Sequence, residues 1–124
     1  FDKFCKTLEL TSSFSYGFDI TNYTAMKSGQ YMRPHNHIGD SDFTCIHYVK
    51  FNPKKHQSTV FHNANHWADD YQYLRPTLYK KLKYYKLPTN EDDFVITPSS
   101  LIHEVPPFKS DELRVTLVVN LAIK

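Results

Sequence analysis

The sequence predicts an all-β domain, built either as a sandwich or as a jelly-roll barrel. Short runs rich in β-branched and aromatic residues recur along the chain, and turn-forming residues separate them. The seven prolines lie between these apolar runs, and there is no internal repeat. With 124 residues, 40% of them hydrophobic and 15% aromatic, the chain suffices for one compact core. We therefore expect one domain over residues 1–124 with the layered architecture of short-stranded β-proteins.

Seven runs are predicted as strands. The first alternates aromatic and polar residues, the second leads into a pair of histidines, and the third stops at the Asn52-Pro53 break. The last is the longest uninterrupted β-branched segment of the chain. In chain order the predicted strands are 14–24, 30–32, 43–51, 58–61, 93–97, 101–105 and 113–123.

Residues 67–87 depart from this pattern. Leu78, Leu82 and Tyr85 recur at helix-like spacing, and lysines are distributed around them. The stretch is predicted as an insertion at about 62–90, either a short helix or an irregular lid over one end of the barrel. Its tyrosines and lysines would also suit stacking on single-stranded nucleic acid. A solvated amphipathic face is the favoured interpretation.

The net charge, the apolar runs and the cysteines indicate which partners and which cellular compartment fit the chain. The net charge of +2 lacks the basic excess that nucleic-acid binders usually carry. The apolar run 115–123 is too short to span a membrane. Cys5 and Cys45 form no CxxC pair, and free thiols fit a cytoplasmic compartment. The chain begins without Met, so we expect residues ahead of Phe1. The sequence leaves open whether the protein forms a homodimer.

His35 and His37 flank Asn36. On a strand, residues two apart point to one face, so both imidazoles can aim at one point inside a barrel. Neutral imidazole is a good ligand for Fe(II), zinc or copper. The alternative is a pair of ordinary surface or core histidines.

A third histidine and an arginine stand in the second half of the chain. His103 is predicted at a strand start after a Pro-Ser-Ser turn, and Arg114 follows eleven residues later. On the last strand Arg114, Thr116, Val118 and Asn120 share one face. A buried arginine needs an anionic partner, and its fork matches a carboxylate in bidentate fashion. The alternative is an ion pair with an Asp or Glu at the barrel edge.

These residues resemble the C-terminal half of small 2-oxoglutarate/Fe(II) oxygenases, including the prolyl 4-hydroxylase-like and phage-type groups. The stretch 29–37 resembles the earlier motif of that family, which reads His-x-Asp or His-x-Glu in most members. The resemblance implies a double-stranded β-helix, a cupin-like jelly-roll barrel. The residues that carry it in the second half are Phe94, Pro98, Ser99, Leu101, His103, Val105, Pro107, Arg114 and Asn120.

The resemblance also implies site roles and a reaction. His35, His37 and His103 would bind Fe(II), and Arg114 with Thr116 would bind the distal carboxylate of 2-oxoglutarate. Tyr48 or Tyr31, if it faces inward, would hydrogen-bond one of its carboxylates. O2 would then be used to hydroxylate an unidentified substrate while 2-oxoglutarate is decarboxylated to succinate.

His37 occupies the position where most of the family has a carboxylate. Three histidines can hold Fe(II), or Asp40 or Asp42 can supply the carboxylate, since Gly39 lets the chain bend there. A metal-free protein is the third possibility.

Two other classes of function compete with the oxygenase. A cupin-type metal-binding protein or enzyme fits Gly29, the His-x-His pair and Asp42, but it has no need of Arg114 and Thr116. A non-catalytic β-barrel binding protein would use the same histidines and arginine for packing and ion pairing.

Overall fold

The computed structural model describes residues 3, 6, 16–63 and 84–123, and in this part of the chain it confirms the all-β prediction. The strands form two antiparallel sheets of four, in the orders β1-β8-β3-β6 and β2-β7-β4-β5. Most successive strands alternate between the two sheets, which is the jelly-roll arrangement of a double-stranded β-helix. The strands are β1 (Tyr16–Met26), β2 (Met32–His35), β3 (Phe43–Lys50), β4 (Val60–His62), β5 (Tyr84–Lys86), β6 (Phe94–Pro98), β7 (His103–Val105) and β8 (Arg114–Ile123).

Strands β3 and β8 form the centre of the first sheet. Each is hydrogen-bonded on both sides, β8 to β1 and β3, and β3 to β8 and β6. Their β-branched and aromatic residues fit this pleated, buried environment. Ile46 and Tyr48 from β3 pack with Phe51 and Phe61 as one buried cluster between the sheets. Met26, Val105 and Phe108 form a second buried cluster.

The second sheet has shorter strands and positions two of the histidines. In the β2–β7 pairing His35 lies opposite His103, and in the β4–β7 pairing Phe61 lies opposite His103. Residues directly opposite each other in an antiparallel pair project from the same face of the sheet. The pairing therefore sets the rings of His35 and His103 side by side.

The structure corrects two expectations. Tyr85, expected in a helix or an irregular lid, lies in strand β5, which pairs antiparallel with β4. A three- to four-residue recurrence in so short a stretch does not exclude a strand; residues 64–83 of the insertion lie outside the described part of the chain. Strand β2 ends at His35, so His37 lies in the loop beyond it and not two positions along the same strand.

Cys45 is a free, buried thiol, as the spacing of the cysteines predicted, whereas Cys5 lies outside the described residues. Burial raises the pKa of the Cys45 thiol.

Within the described residues, no helix has the length and apolar character needed to cross a membrane.

Candidate functional site

The three histidines singled out in the sequence meet inside the barrel. One nitrogen from each of His35, His37 and His103 lies within 4.8 Å of the other two. The ring centroids are 4.4 Å apart for His35 and His103, and 5.3 Å apart for each pair that includes His37. Three imidazole nitrogens at this spacing can face a single ion.

Backbone carbonyls fix the ring orientation of two of these histidines. The Nδ1 atom of His35 lies 2.8 Å from the carbonyl oxygen of Arg33, and Nδ1 of His103 lies 3.0 Å from that of Leu101. Because a carbonyl oxygen only accepts, Nδ1 must carry the proton in both rings. Each Nε2 is then left with a lone pair, which is the protonation state that a histidine ligand needs.

His37 reaches the same point from a loop. Its backbone N–H donates to the carbonyl of Ser99 at 2.8 Å, which ties the loop to the turn before β7. Gly39, with φ +92°, lets the backbone turn back two residues after His37. Nε2 of His37 is buried and has no hydrogen-bond partner among the described residues. A buried polar atom without a partner is costly, and a bound cation would remove that cost.

Burial in the cluster favours the neutral form of two imidazoles, those of His103 and His37. Burial lowers the pKa of His103 to about 4, and the charges of His35 and His37 act in the same direction, against a hydrogen bond to Leu101 that raises it. Burial also lowers the pKa of His37, with His35 adding to the effect and Asp40 opposing it. Near neutral pH these rings therefore do not need to lose a proton before they bind a metal.

No carboxylate joins the three histidines among the residues that the structure describes. Asp42 accepts a hydrogen bond from the backbone N–H of Ile123 at 2.7 Å, so its side chain is directed to the end of β8. Asp40 is exposed and lines a different cleft, together with Ser41 and Asn120. The two aspartates considered from the sequence are thus not brought to the cluster.

Arg114 is the first residue of β8, and its side chain is only 1% exposed. Nε donates to the carbonyl of Gln57 at 3.0 Å, and the two terminal nitrogens lie 3.4 and 3.3 Å from the hydroxyls of Thr116 and Thr59. Within the described ranges no Asp or Glu forms an ion pair with it. Burial lowers its pKa, and Tyr48 opposes that shift. The guanidinium is therefore held in place, and no acidic side chain in the described part of the chain compensates its charge.

The two tyrosines considered for the site have different surroundings. Tyr48 is 1% exposed, its hydroxyl donates to Thr59 Oγ1 at 2.8 Å, and the Arg114 guanidinium lies 5.4 Å from its ring centroid. Tyr31 is 58% exposed and does not line the pocket that contains the histidines and Arg114. Of the pair, only Tyr48 lies beside the arginine.

The histidines and the arginine line one small pocket between the sheets. Thr116 and Val118 continue its wall along the inner face of β8, as the alternation of that strand predicted. Sequence reasoning missed Thr59, which contacts both Arg114 and Tyr48. The sequence did contain a signal for Thr59. It lies two residues from Phe61 in the predicted strand 58–61, so the two side chains share a face.

Comparison with known proteins identifies the family. Residues 22–120 match the model of the family described as "Putative 2OG-Fe(II) oxygenase". No curated protein matches the chain. The match covers most of the sequence and includes the three histidines, the buried arginine and both sheets of the barrel. The protein therefore belongs to this family of 2OG-Fe(II) oxygenases, which implies Fe(II) as its cofactor and 2-oxoglutarate as its co-substrate.

Proposed function

We propose that this protein is a dioxygenase that hydroxylates a substrate at an Fe(II) centre held by three histidines and converts 2-oxoglutarate to succinate and CO2. The observation that carries the proposal is the buried guanidinium of Arg114, which has no acidic partner among the described residues and lies in the same pocket as His35, His37 and His103. A buried arginine without an acidic partner is costly, and a dicarboxylate that binds metal at one end would compensate it at the other.

The three histidines would hold the iron through Nε2. The backbone bonds to Nδ1 of His35 and His103 direct those lone pairs inward, and the unpartnered Nε2 of His37 supplies the third. When bound, Fe(II) supplies the activation of O2 and the oxidation of a C–H bond, chemistry that no side chain offers. Because imidazoles are neutral, this ligand set leaves the full charge of the metal available to anionic ligands.

Arg114 and the hydroxyls around it would bind the distal carboxylate of 2-oxoglutarate. Thr59 Oγ1 accepts from the Tyr48 hydroxyl at 2.8 Å and from Arg114 at 3.3 Å, so its own proton remains to donate. The Thr116 hydroxyl, 3.4 Å from the guanidinium, is a second donor. A carboxylate entering here meets one positive charge and two hydroxyl protons on buried side chains, and charge-assisted hydrogen bonds are strong in such surroundings.

The test is an anaerobic titration of the metal-free protein with Fe(II) and 2-oxoglutarate, which follows the visible charge-transfer band of the chelate. We expect the band in the wild type. In Arg114→Met we expect Fe(II) still to bind. The 2-oxoglutarate concentration needed to form the band should rise by about a hundredfold, because the variant removes one partner of a buried charge pair. Arg33→Met, on an exposed residue of β2, is the matched control and should leave both unchanged.

Each contrary outcome has a definite meaning. If Arg114→Met keeps the wild-type affinity for 2-oxoglutarate, the arginine is not the anchor. If iron binds to the wild type and no band forms, a cupin-type metal protein becomes the better account. If no metal binds, the barrel is a non-catalytic binding protein.

A further inference from the structure

A second cleft, of about 190 Å³, opens where the inner face of the first sheet continues past the histidines. We call it the acidic cleft, and it is lined by Gly17, Asp19, Asp40, Ser41, Asn120 and Ala122, among others. Two of these residues carry carboxylates, two carry neutral oxygen atoms, and none carries a positive charge. The mechanism proposed above uses no residue of this cleft.

Asn120 marks the cleft as more than an acidic surface. Its side chain is only 5% exposed, and its Oδ1 atom is buried without a hydrogen-bond partner among the described residues. In the β1–β8 pairing Asp19 lies directly opposite Asn120, so both side chains project from the same face of the sheet. A buried acceptor without a partner, next to a carboxylate, is satisfied when a donor enters.

The carboxylates of the acidic cleft have no cationic partner in the part of the chain that the structure describes. Among residues 3, 6, 16–63 and 84–123, no basic side chain forms an ion pair with Asp19 or Asp40. Two carboxylates and a carboxamide oxygen are all acceptors. A lysine ammonium or an arginine guanidinium, which only donates, is the complementary group.

The acidic cleft adjoins the candidate iron centre. The backbone N–H of Asp40 donates to the carbonyl of His37 at 3.1 Å. Ser99 contacts both sites, because its carbonyl accepts from His37 N–H at 2.8 Å and its hydroxyl lies 2.7 Å from that of Ser41. Along β8, Asn120 is two residues, or about 7 Å, past Val118 in the central pocket, and it lies on the opposite side from Arg114.

We propose that the acidic cleft binds the basic side chain of the substrate, a lysine or an arginine, and so directs a cationic molecule to the iron. This inference rests on the proposed function, since it places the substrate at the end of the barrel opposite the 2-oxoglutarate anchor. The co-substrate would lie toward Arg114 and the substrate toward Asn120, with the histidines between them.

The binding test uses metal-free, 15N-labelled protein, so that it does not depend on the iron chemistry. Two probes are titrated, Nα-acetyl-lysine methylamide and the neutral Nα-acetyl-norleucine methylamide, and the NMR signals of Asp19, Asp40 and the Asn120 side-chain amide are followed. We expect the lysine probe to shift these signals and the norleucine probe to leave them in place. Asp19→Asn and Asp40→Asn should each weaken lysine binding about fivefold. Asp111→Asn, an equal charge change on an exposed carboxylate that pairs with Lys55, should not.

A second arm tests the link to catalysis. In the iron-loaded enzyme, the lysine probe should raise the rate of succinate formation, and the double variant Asp19→Asn with Asp40→Asn should lose that increase but keep the iron–2-oxoglutarate band. If the lysine probe does not shift the cleft signals, or Mg²⁺ or Ca²⁺ displaces it from them, the inference is overturned while the band still supports the oxygenase. If the band never forms, the proposed function fails, and lysine binding is still read directly by NMR.

Discussion

At the scale of single residues, the central question is which side chain completes the proposed metal site. His37 supplies a buried, unpartnered nitrogen, whereas the Asp42 carboxylate is engaged by Ile123 and Asp40 faces another cleft. We expect His37→Ala to weaken Fe(II) binding by at least about a hundredfold, since removing a ligand costs more than removing its support. Asp40→Asn and Asp42→Asn should bind iron within about threefold of the wild type, as measured by anaerobic titration. A large loss of affinity in either aspartate variant would move the third ligand to that residue.

Thr59 gives a second residue-scale prediction. Thr59→Val keeps the shape of the side chain but removes the oxygen that contacts Tyr48 and Arg114. Because a hydrogen bond to a charged group contributes about 1.5 kcal/mol or more, the affinity for 2-oxoglutarate should fall about tenfold. Titration of the chelate band measures it. Thr21→Val, on an exposed threonine of β1, is the control, and an equal effect there would remove Thr59 from the site.

The depressed pKa of His103 predicts a pH dependence of stability in the metal-free protein. Its pKa is 6.5 when unfolded and about 4 when folded, so between these values the unfolded state binds more protons. This contribution to stability is therefore present above pH 6.5 and is lost as the pH falls toward 4. Urea unfolding should give a free energy about 2 kcal/mol lower at pH 5 than at pH 7. His103→Asn should flatten this dependence; if the slope persists unchanged in that variant, another group is responsible.

At the scale of elements, the turn after His37 decides where that ring points. Gly39 at φ +92° and Gly29 at φ +79° both adopt left-handed backbone conformations, and a Cβ added at either would meet nothing within 4 Å. Gly39→Ala and Gly29→Ala should thus each cost about 1 kcal/mol of unfolding free energy, from backbone strain alone. Only Gly39 lies in the loop that carries His37, so only Gly39→Ala should also weaken Fe(II) binding. Equal iron affinity in the two variants would show that the turn does not orient the ligand.

The pairing of β2 with β7 has a comparable role for the other two histidines. It sets His35 opposite His103, and the following loop brings His37 back against Ser99. Each ring thus depends on a different backbone contact: Arg33 for His35, Leu101 for His103 and Ser99 for His37. A site held in this way is largely formed before the metal arrives, which favours tight binding.

At the scale of the whole molecule, the barrel encloses charge and lone pairs that its described residues do not satisfy. Among those residues, Arg114 is buried without a carboxylate partner, and His37 Nε2 is buried without a hydrogen-bond partner. Ligands that bind only the folded state stabilise it by mass action. With Fe(II) and 2-oxoglutarate each at about a hundred times its dissociation constant, each should add about 2.7 kcal/mol to the unfolding free energy. Anaerobic thermal unfolding measures the combined stabilisation by Fe(II) and 2-oxoglutarate. In Arg114→Met only the stabilisation by Fe(II) should remain.

The sequence by itself determined the all-β architecture and pointed to Fe(II) as cofactor and 2-oxoglutarate as co-substrate. Period-two alternation on 113–123 predicted that Arg114, Thr116, Val118 and Asn120 share one face, and β8 bears this out. This alternation is a local property of the pleated backbone, in which successive side chains point to opposite faces, so it can be predicted from the sequence alone. The strand start at His103 was also predictable, because the turn-forming sequence Pro-Ser-Ser precedes it.

Only the tertiary structure decided how distant segments meet. Sequence spacing did not tell a helix from the edge strand that holds Tyr85, because the partner β4 lies more than twenty residues away along the chain. Nor did it tell His37 from Asp40 or Asp42 as the residue facing His103, because that depends on a hydrogen bond to Ser99, 62 residues further on. The neighbours of Arg114 and the unpartnered oxygen of Asn120 are likewise products of packing between strands. Long-range contacts of this kind depend on the summed free energy of the whole fold, which no local pattern encodes.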